Sequence, residues 1–123
     1  MKVVLDTNFL LAFFNYKINV FELLRDYGFV EIIILTDVLE ELKRVSRKEN
    51  YESILEWISK NLDKYRIRIE KIEKKGLATI DDLLMKMGEK GYFIATLDKI
   101  LIRKCKKKGL RVVTLHQNKI VEV

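Results

Sequence analysis

Two patterns of apolar and polar residues alternate along the chain. Runs that are apolar, or that alternate apolar with polar residues, predict strands at Lys2–Leu5, Val30–Leu35, Arg66–Glu70, Tyr92–Thr96 and Arg111–Leu115. Apolar residues at helical spacing predict helices over Phe9–Phe14, Val20–Tyr27, Asp37–Arg47, Tyr51–Leu62, Thr79–Lys90 and Lys99–Lys108. A charged loop is predicted at Lys71–Gly76, and the tail Lys119–Val123 is a candidate edge strand. Strands that alternate with helices predict a three-layer α/β/α fold, in which helices cover both faces of a parallel sheet.

Length and composition limit the classes of protein that fit this chain. It has 123 residues, 49% of them hydrophobic, with no proline and no repeat or linker, so we expect a single domain over residues 1–123. One cysteine and one histidine exclude a disulfide framework and the common zinc sites. No apolar run approaches the roughly 18 residues of a membrane span, and we expect no signal peptide before the first strand. The expectation is a cytoplasmic protein without a membrane partner.

Two aspartates come at the ends of predicted strands. Asp6 directly follows the first strand, and Asp98 follows the fourth by two residues. Parallel α/β sheets bind ligands at the carboxyl ends of their strands, so we expect both side chains at the same edge. Thr7, Asn8 and Thr96 add short polar groups beside them. Such residues also serve as ordinary caps of the helices that follow, and the sequence leaves both roles open.

Helical geometry separates two pairs of neighbouring acids. In the third predicted helix, Glu40 lies nearly opposite the apolar stripe, whereas Glu41 lies at its margin. In the fifth, Asp82 points away from the stripe and Asp81 lies toward its margin. A carboxylate at the border of a buried face is partly desolvated and is stabilised by a nearby cation. We therefore select Glu41 and Asp81 as candidate ligands, with Asp82 as a supporting or capping residue.

The selected acids are expected to converge at one end of the sheet. Carboxylates that share a cleft repel one another and raise their own pKa values, unless a divalent cation neutralises them. Ligand sets of oxygen alone favour Mg²⁺ or Mn²⁺, and a metal-activated water that attacks a phosphodiester is the chemistry such a cluster suits. The candidate metal-binding and catalytic residues are Asp6, Glu41, Asp81 and Asp98.

Four segments, in order, carry a resemblance to the PIN-domain ribonucleases over essentially the whole chain: VVLDTNFLL, VLEELKRV, TIDDLLMKM and YFIATLDKIL. The resemblance implies a parallel sheet in the strand order 3-2-1-4-5, a divalent-metal site and cleavage of RNA. It assigns the metal ligands to Asp6, Glu41, Asp81 and Asp98, with Asn8 and Thr96 nearby. The ending VVTLHQNKIVEV is most similar to an archaeal branch related to eukaryotic small-subunit rRNA-processing endonucleases, although His116 stands where that branch has arginine.

The charge balance fits a nucleic-acid partner. Lys and Arg number 24 against 18 Asp and Glu, which gives a net charge of +6. Neutralising phosphates releases counterions, so an excess of this sign favours binding to RNA. A basic run follows the Asp98 segment and a smaller group follows Glu41, although the same charges are typical of a solvated helix face. The candidate RNA-binding residues are Arg44, Arg47, Lys48, Arg103, Lys104 and Lys107.

Together these features predict an Mg²⁺- or Mn²⁺-dependent endoribonuclease that acts on RNA, with rRNA processing as the first candidate role. Two alternatives stay open: a toxin-type PIN ribonuclease neutralised by an antitoxin, and a non-catalytic RNA-binding or interaction module that keeps the fold. Besides RNA, the resemblance names a second copy of the chain in a homodimer, ribosome-assembly proteins and an antitoxin as partners to test.

Overall fold

The computed structural model describes residues 1–74, 76 and 79–123. Its strands are β1 (Lys2–Leu5), β2 (Glu31–Leu35), β3 (Ile67–Glu70), β4 (Phe93–Ala95), β5 (Val112–His116) and β6 (Lys119–Glu122). Its helices are α1 (Thr7–Asn15), α2 (Val20–Tyr27), α3 (Thr36–Val45), α4 (Lys48–Tyr65), α5 (Ile80–Glu89) and α6 (Lys99–Lys107). Helices separate successive strands from β1 to β5, as the sequence pattern predicts.

One sheet runs through the centre of the molecule in the strand order β3-β2-β1-β4-β5-β6. β1 lies between β2 and β4, and Val4 is paired with both Ile33 and Ile94. The strands from β1 to β5 are parallel to their neighbours, which confirms the predicted order 3-2-1-4-5 and the three-layer α/β/α class. From β1 the chain adds β2 and β3 on one side of the sheet and then β4 and β5 on the other. The carboxyl ends of β1 and β4 therefore form the switch point at which such sheets bind ligands.

The candidate edge strand at the tail is present as β6, and it makes the sheet mixed rather than wholly parallel. His116 of β5 pairs with Lys119 of β6 in an antiparallel ladder. Between them, Gln117 and Asn118 have positive φ angles of 50° and 60°, as residues of two-residue hairpin turns do. A connection this short joins only antiparallel neighbours, because a parallel neighbour needs a long crossover.

Helices cover both faces of the sheet. Contacts join α1 to α2 and α3, and α4 to α2 and α3, while α5 contacts α6. Trp57 of α4 fills space between helices, with its ring centroid 4.6 Å from that of Phe13 and 5.0 Å from that of Phe21. In the described part of the chain, no helix is both long enough and apolar enough to cross a membrane. The central strands are buried on both sides, as their continuous apolar runs predict: Val3, Val4, Leu5, Ile32, Ile33, Ile34 and Ile94.

α4 is longer than its apolar pattern predicts, by three residues at each end. It begins at Lys48 and continues to Tyr65. The residues added at its start are polar and exposed, so periodicity does not predict them. At the other end the buried Tyr65 lies seven residues after Ile58 on the same stripe, so the predicted end at Leu62 stops one turn short of the last buried position of the helix. It ends where Arg66 takes a left-handed conformation with a φ of 51°, and β3 consequently begins at Ile67.

The predicted loop at Lys71–Gly76 lies partly outside the described residues, because Lys75 is among those the structure leaves out. Residues 71–74 have no regular secondary structure. Lys74 Nζ lies 2.8 Å from Asp37 Oδ2, so the segment after β3 is tied to the first turn of α3.

Candidate active site

Asp6 and Asp98 both cap helices at the carboxyl edge of the sheet. Asp6 is the N-cap of α1, and its Oδ1 accepts a 2.8 Å hydrogen bond from the Thr7 N–H. Asp98 is the N-cap of α6, and its Oδ1 accepts bonds of 2.8 Å and 3.4 Å from the N–H groups of Ile100 and Leu101. The capping role that the sequence left open is therefore real. Because β1 and β4 are neighbouring parallel strands, capping also places the two carboxylates on one cavity.

Thr96 and Asn8 bridge the ends of β1 and β4. The Thr96 hydroxyl donates a 2.6 Å hydrogen bond to Asp6 Oδ2 and accepts one of 3.0 Å from the Asp98 N–H. Asn8 Oδ1 accepts a 3.0 Å bond from the Leu97 N–H. Thr96 is completely buried, and its bond to Asp6 is made away from solvent. The two residues therefore hold the strand ends together, a role that differs from the helix capping that the sequence also allowed.

α3 and α5 bring the other two acids to the same cavity. Glu41 lines it, whereas Glu40 is exposed and lines a neighbouring cavity. Asp81 lines it from the first turn of α5. Asp82 instead forms a capping box with Thr79: the Thr79 N–H donates to Asp82 Oδ2 at 3.2 Å, and the Asp82 N–H donates to Thr79 Oγ1 at 3.1 Å. These positions agree with the choice made from helical geometry within each pair.

The candidate acids thus line a single cavity of about 440 Å³, although they come from four separate segments of the chain. Apolar side chains that the sequence analysis did not select complete its walls. Apolar residues of a helix are ordinarily predicted to lie in the core. The signal that these side chains line the cavity instead is that they are close in sequence to its acids. The remaining lining residues are Thr7, Asn8, Leu11, Val45, Thr79 and Ile80.

Burial raises the pKa of Asp6 above its ordinary value of 3.8, because the charged carboxylate is deprived of the hydration that stabilises it in water. The hydrogen bonds from Thr96 and Thr7 act in the opposite direction, since they stabilise the charged form. The negative charges of Asp81 and Glu41 add to the rise. The network around Asp6 therefore offsets only part of the cost of holding a charge there.

The pKa of Asp81 is also raised, again chiefly by burial. The charge of Lys104 lowers it, and the nearby carboxylates of Asp98, Asp82 and Glu41 raise it. The effects of these four charged side chains are electrostatic, so the groups lie close enough to Asp81 to change its pKa. The cavity is a place where negative charge accumulates without enough positive charge to balance it.

The donor set suits a hard divalent cation that keeps part of its water shell. The acids supply oxygen atoms, the ligands that Mg²⁺ and Mn²⁺ prefer. Thr7 also lines the cavity, and its Oγ1 is buried without a hydrogen-bond partner among the described residues. Within the described residues, no three acidic, histidine or cysteine side chains form a compact group ready to hold a metal. Mg²⁺ sites built from one or two carboxylates plus waters need no such group, and the residues fit that kind of site.

A second cavity of about 310 Å³ adjoins the first, and Glu41, Thr79 and Ile80 line both. It carries charges of both signs, including the ion pair between Lys74 and Asp37. Sequence patterns do not reveal this pair, because its members are far apart in the chain and no periodicity connects them. The other lining residues are Glu40, Arg44 and Leu83.

The basic candidates fall into distinct positions. Arg44 lines the second cavity. Lys104 approaches the first, with its Nζ 3.9 Å from Asp81 Oδ2. The remaining candidates are exposed, either at the start of α4 or on α6: Arg47, Lys48, Arg103 and Lys107.

A family model described as a PIN like domain matches residues 3–118. The chain belongs to the PIN-like domain family. This confirms the resemblance carried by the four sequence segments, and the matched range contains every acid of the cavity.

Known relatives are similar to this PIN-like domain over nearly its whole length. Ribonuclease VapC4 of Methanocaldococcus jannaschii is 29% identical over 126 residues, which cover 99% of this chain and 95% of the relative. Ribonuclease VapC9 of Archaeoglobus fulgidus is 31% identical over 123 residues, covering 98% and 87%. The solved structure of the PIN domain endonuclease Utp24 has a TM-score of 0.74 at 26% identity and covers 97% of this chain and 88% of that one. A domain of a functionally unknown protein from M. jannaschii, with a TM-score of 0.65 at 20% identity, covers 94% and 91% and supports the fold alone.

Proposed function

We propose that this PIN-like domain is an endoribonuclease that depends on Mg²⁺ or Mn²⁺. One observation carries the proposal: four carboxylates from separate segments line one cavity, and two of them have raised pKa values there. Packing does not require such a group, and like charges held together destabilise the fold unless a cation joins them. The names of the relatives, two ribonucleases and an endonuclease, favour RNA as the substrate and its phosphodiester as the reacting bond.

In the proposed mechanism, Asp6, Glu41, Asp81 and Asp98 would share one hydrated divalent cation, with one or two of them bound to it directly and the others through its waters. The cation would supply an acidified water and positive charge against the phosphodiester. Thr96 and the Thr7 N–H keep the Asp6 carboxylate in one orientation through the bonds at its two oxygens. In this proposal the protein side chains mainly orient the carboxylates and the reacting groups, and they do not themselves transfer the proton of the attacking water.

The surroundings of the acids fit a nucleic-acid strand. Leu11, Val45 and Ile80 offer apolar contact to a sugar or base at the cavity wall. Positive side chains on or beside α3, α4 and α6 attract the phosphate backbone. In this proposal the backbone contacts are made by Arg44, Arg47, Lys48, Arg103, Lys104 and Lys107.

Asp6→Asn tests the central claim. Asparagine keeps a side-chain oxygen that can still accept from Thr7 or Thr96, so we expect the fold to persist. Cleavage of RNA in Mg²⁺ or Mn²⁺ should fall about 100-fold or more, the scale on which loss of one charge-stabilising group acts. A cleavage assay in either metal, with a melting curve for each protein, measures both quantities. Undiminished cleavage by the variant refutes the assignment.

The neighbouring pair on α3 gives a matched comparison. Glu41→Gln removes a charge that lines the acid cavity, whereas Glu40→Gln makes the same chemical change at an exposed position one residue away. We expect the first variant to lose cleavage and Mn²⁺ binding and the second to keep both. Equal losses in the two variants contradict a specific site at Glu41.

The biological role divides into two candidates that use the same chemistry. Processing of rRNA predicts that depletion of the protein leaves precursor rRNA uncut. A toxin predicts growth arrest on expression, which co-expression of a small antitoxin from a neighbouring gene relieves. Depletion and expression in an archaeal host separate the two.

A non-catalytic RNA-binding or interaction module is the contrasting class. It gains nothing from carboxylates that repel one another in a cavity. Thermal stabilisation by Mn²⁺ tests it directly, because a ligand that binds only the folded state raises the melting temperature, and the rise grows with the logarithm of the ligand concentration relative to its Kd. Absence of any shift, together with intact RNA binding, supports the module and overturns the enzyme.

A further inference from the structure

Lys104 differs from the other basic residues of α6. Its Nζ lies 3.9 Å from Asp81 Oδ2, and among the ion pairs of the described residues this one alone joins a basic side chain to an acid of the cavity. Leu101 and Cys105, its neighbours on the helix surface, are completely buried. Lys104 therefore leaves α6 at the border between core and solvent and reaches toward α5 at the rim of the acid cavity.

The pair between Lys104 and Asp81 is loose. The Lys104 side chain is 55% exposed and that of Asp81 is 31% exposed. Exposed ion pairs of this kind contribute little to stability, so the contact is not a strong clamp between α5 and α6. An ammonium has three donor hydrogens, and one distant carboxylate oxygen does not satisfy them. Lys104 can therefore exchange partners at little cost.

The surroundings indicate the second partner. Negative charge accumulates in the cavity, and Lys104 is the cation that lowers the pKa of Asp81 against burial and the neighbouring acids. A divalent cation bound by the acids takes over that role, which frees the ammonium. The substrate phosphodiester then enters the cavity. Its negative oxygens are the second partner available to Lys104.

We infer that Lys104 contacts the phosphodiester that is cleaved, moving from Asp81 to a phosphoryl oxygen when metal and RNA occupy the cavity; this inference rests on the proposed function. Hydrolysis adds the hydroxyl of water to phosphorus and its proton to the leaving ribose oxygen. Negative charge on the phosphoryl oxygens is stabilised in the transition state by positioned cations. Lysine supplies a compact point charge suited to phosphate, and Lys104 keeps its proton throughout.

α6 offers a matched control for the test. Lys106 is exposed and lies about 200° around the helix from Lys104, on the side away from Asp81. Lys104→Met and Lys106→Met remove the same charge and keep a similar side-chain length. A general effect of net charge on RNA binding acts on both variants alike, so a difference between them belongs to the position of Lys104.

Cleavage under single-turnover conditions, with the protein in saturating excess over RNA, gives the first readout. We expect Lys104→Met to lower the maximal rate about tenfold or more, which corresponds to about 1.4 kcal/mol of transition-state stabilisation. Lys104→Arg should recover part of the rate, because it restores the charge with a different shape. Lys106→Met should keep the wild-type maximal rate, and all variants should keep the wild-type melting temperature.

Mn²⁺ affinity of the RNA-free protein gives a second readout that does not depend on activity. Removing a positive charge beside Asp81 should tighten Mn²⁺ binding by about fivefold, since a unit charge at about 4 Å is worth about 1 kcal/mol in water. Slower cleavage together with tighter metal binding is a combination that a misfolded site does not produce.

An unchanged rate or weaker Mn²⁺ binding in Lys104→Met overturns the role of Lys104, while the wild-type cleavage still supports the enzyme. If the wild-type protein shows no metal-dependent cleavage, the proposed function itself is overturned, and the role of Lys104 with it.

Discussion

Asp81 carries an electrostatic cost in the metal-free protein. Burial and three neighbouring carboxylates raise its pKa above 3.8, and Lys104 offsets only part of the rise. A carboxyl group with a raised pKa binds its proton more tightly in the folded chain than in the unfolded chain. Its contribution to stability is therefore fully present below the unfolded value and is lost as pH rises through the raised pKa. At neutral pH, the charged Asp81 side chain is thus expected to lower the free energy of unfolding of the metal-free protein, and a bound cation should remove this cost.

Asp81→Asn should raise the melting temperature of the metal-free protein at neutral pH by a few degrees at most. The variant removes the charge that burial disfavours, and its advantage over the wild type should shrink as pH falls toward 4. Melting curves in a chelator between pH 4 and 7 measure the difference. Adding Mn²⁺ should stabilise the wild type more than the variant. A variant that melts below the wild type in chelator at neutral pH contradicts this account.

At this scale, the sequence could distinguish Glu41 from Glu40 because a turn of about 100° per residue decides which face a side chain occupies. It could not predict that Lys104 approaches Asp81, since the contact depends on how α5 and α6 pack, and no periodicity within either helix specifies that. The bridge that Thr96 makes from Asp6 to Asp98 is likewise a consequence of strand pairing rather than of local pattern.

α5 is the element whose first turn carries Asp81. Its capping box satisfies backbone N–H groups at Thr79 and Asp82 and fixes where the helix begins. Thr79 and Ile80 also line both cavities, so the start of α5 is a shared wall. The position of Asp81 therefore depends on a cap that makes no contact with substrate in the proposed mechanism.

Thr79→Ala should destabilise the protein by about 0.5–2 kcal/mol, the usual cost of losing an N-cap side chain. Mn²⁺ binding should also weaken, because Asp81 lies in the turn that the cap holds. Chemical denaturation and metal titration measure the two effects, and Thr79→Ser, which keeps the hydroxyl, should resemble the wild type. Unchanged Mn²⁺ affinity in Thr79→Ala shows that the cap does not position Asp81.

Element types could be predicted because each helix buries one recognisable face and the central strands are apolar on both faces. The predicted bounds of β1 and α2 match the structure, whereas those of α4 do not. α4 begins with a polar turn, and its stop is set by the left-handed Arg66 rather than by a glycine. Gly88 shows why packing is hidden from pattern: a Cβ there would lie 2.9 Å from Ile94 Cδ1, so the glycine lets α5 approach β4 closely. A glycine in a helical segment does not by itself reveal which neighbour it faces.

Over the whole molecule, the parallel topology gathers charge at one edge. β1, β2, β3 and β4 all end at the carboxyl edge of the sheet, and the segment between each strand and the next carries one of the four acids. The sequence alone locates these acids once the strand order is assumed, because every parallel strand ends at the same edge. The net charge of +6 is a property of the full chain. Its effect on RNA binding depends on which basic residues lie near that edge.

Salt dependence of RNA binding measures how many of these basic residues contact phosphate. For single-stranded RNA, each contact contributes about 0.7 to the slope of log affinity against log salt concentration. Arg47→Gln and Lys48→Gln remove charges that follow Val45, a cavity residue, by only a few positions. We expect each to lower the slope by about 0.7 in an Asp6→Asn background, where the RNA stays intact.

Lys60→Gln is the matched control for that measurement. Lys60 pairs with Glu56 at 2.8 Å and lies near the end of α4 that leads into β3, about 18 Å along the helix axis from Lys48. It carries the same charge at the opposite edge of the sheet, so its removal should leave the slope unchanged. Equal slope changes at Lys60 and Lys48 would mean that RNA is attracted by net charge alone, and that the strand does not follow a path past the acid cavity.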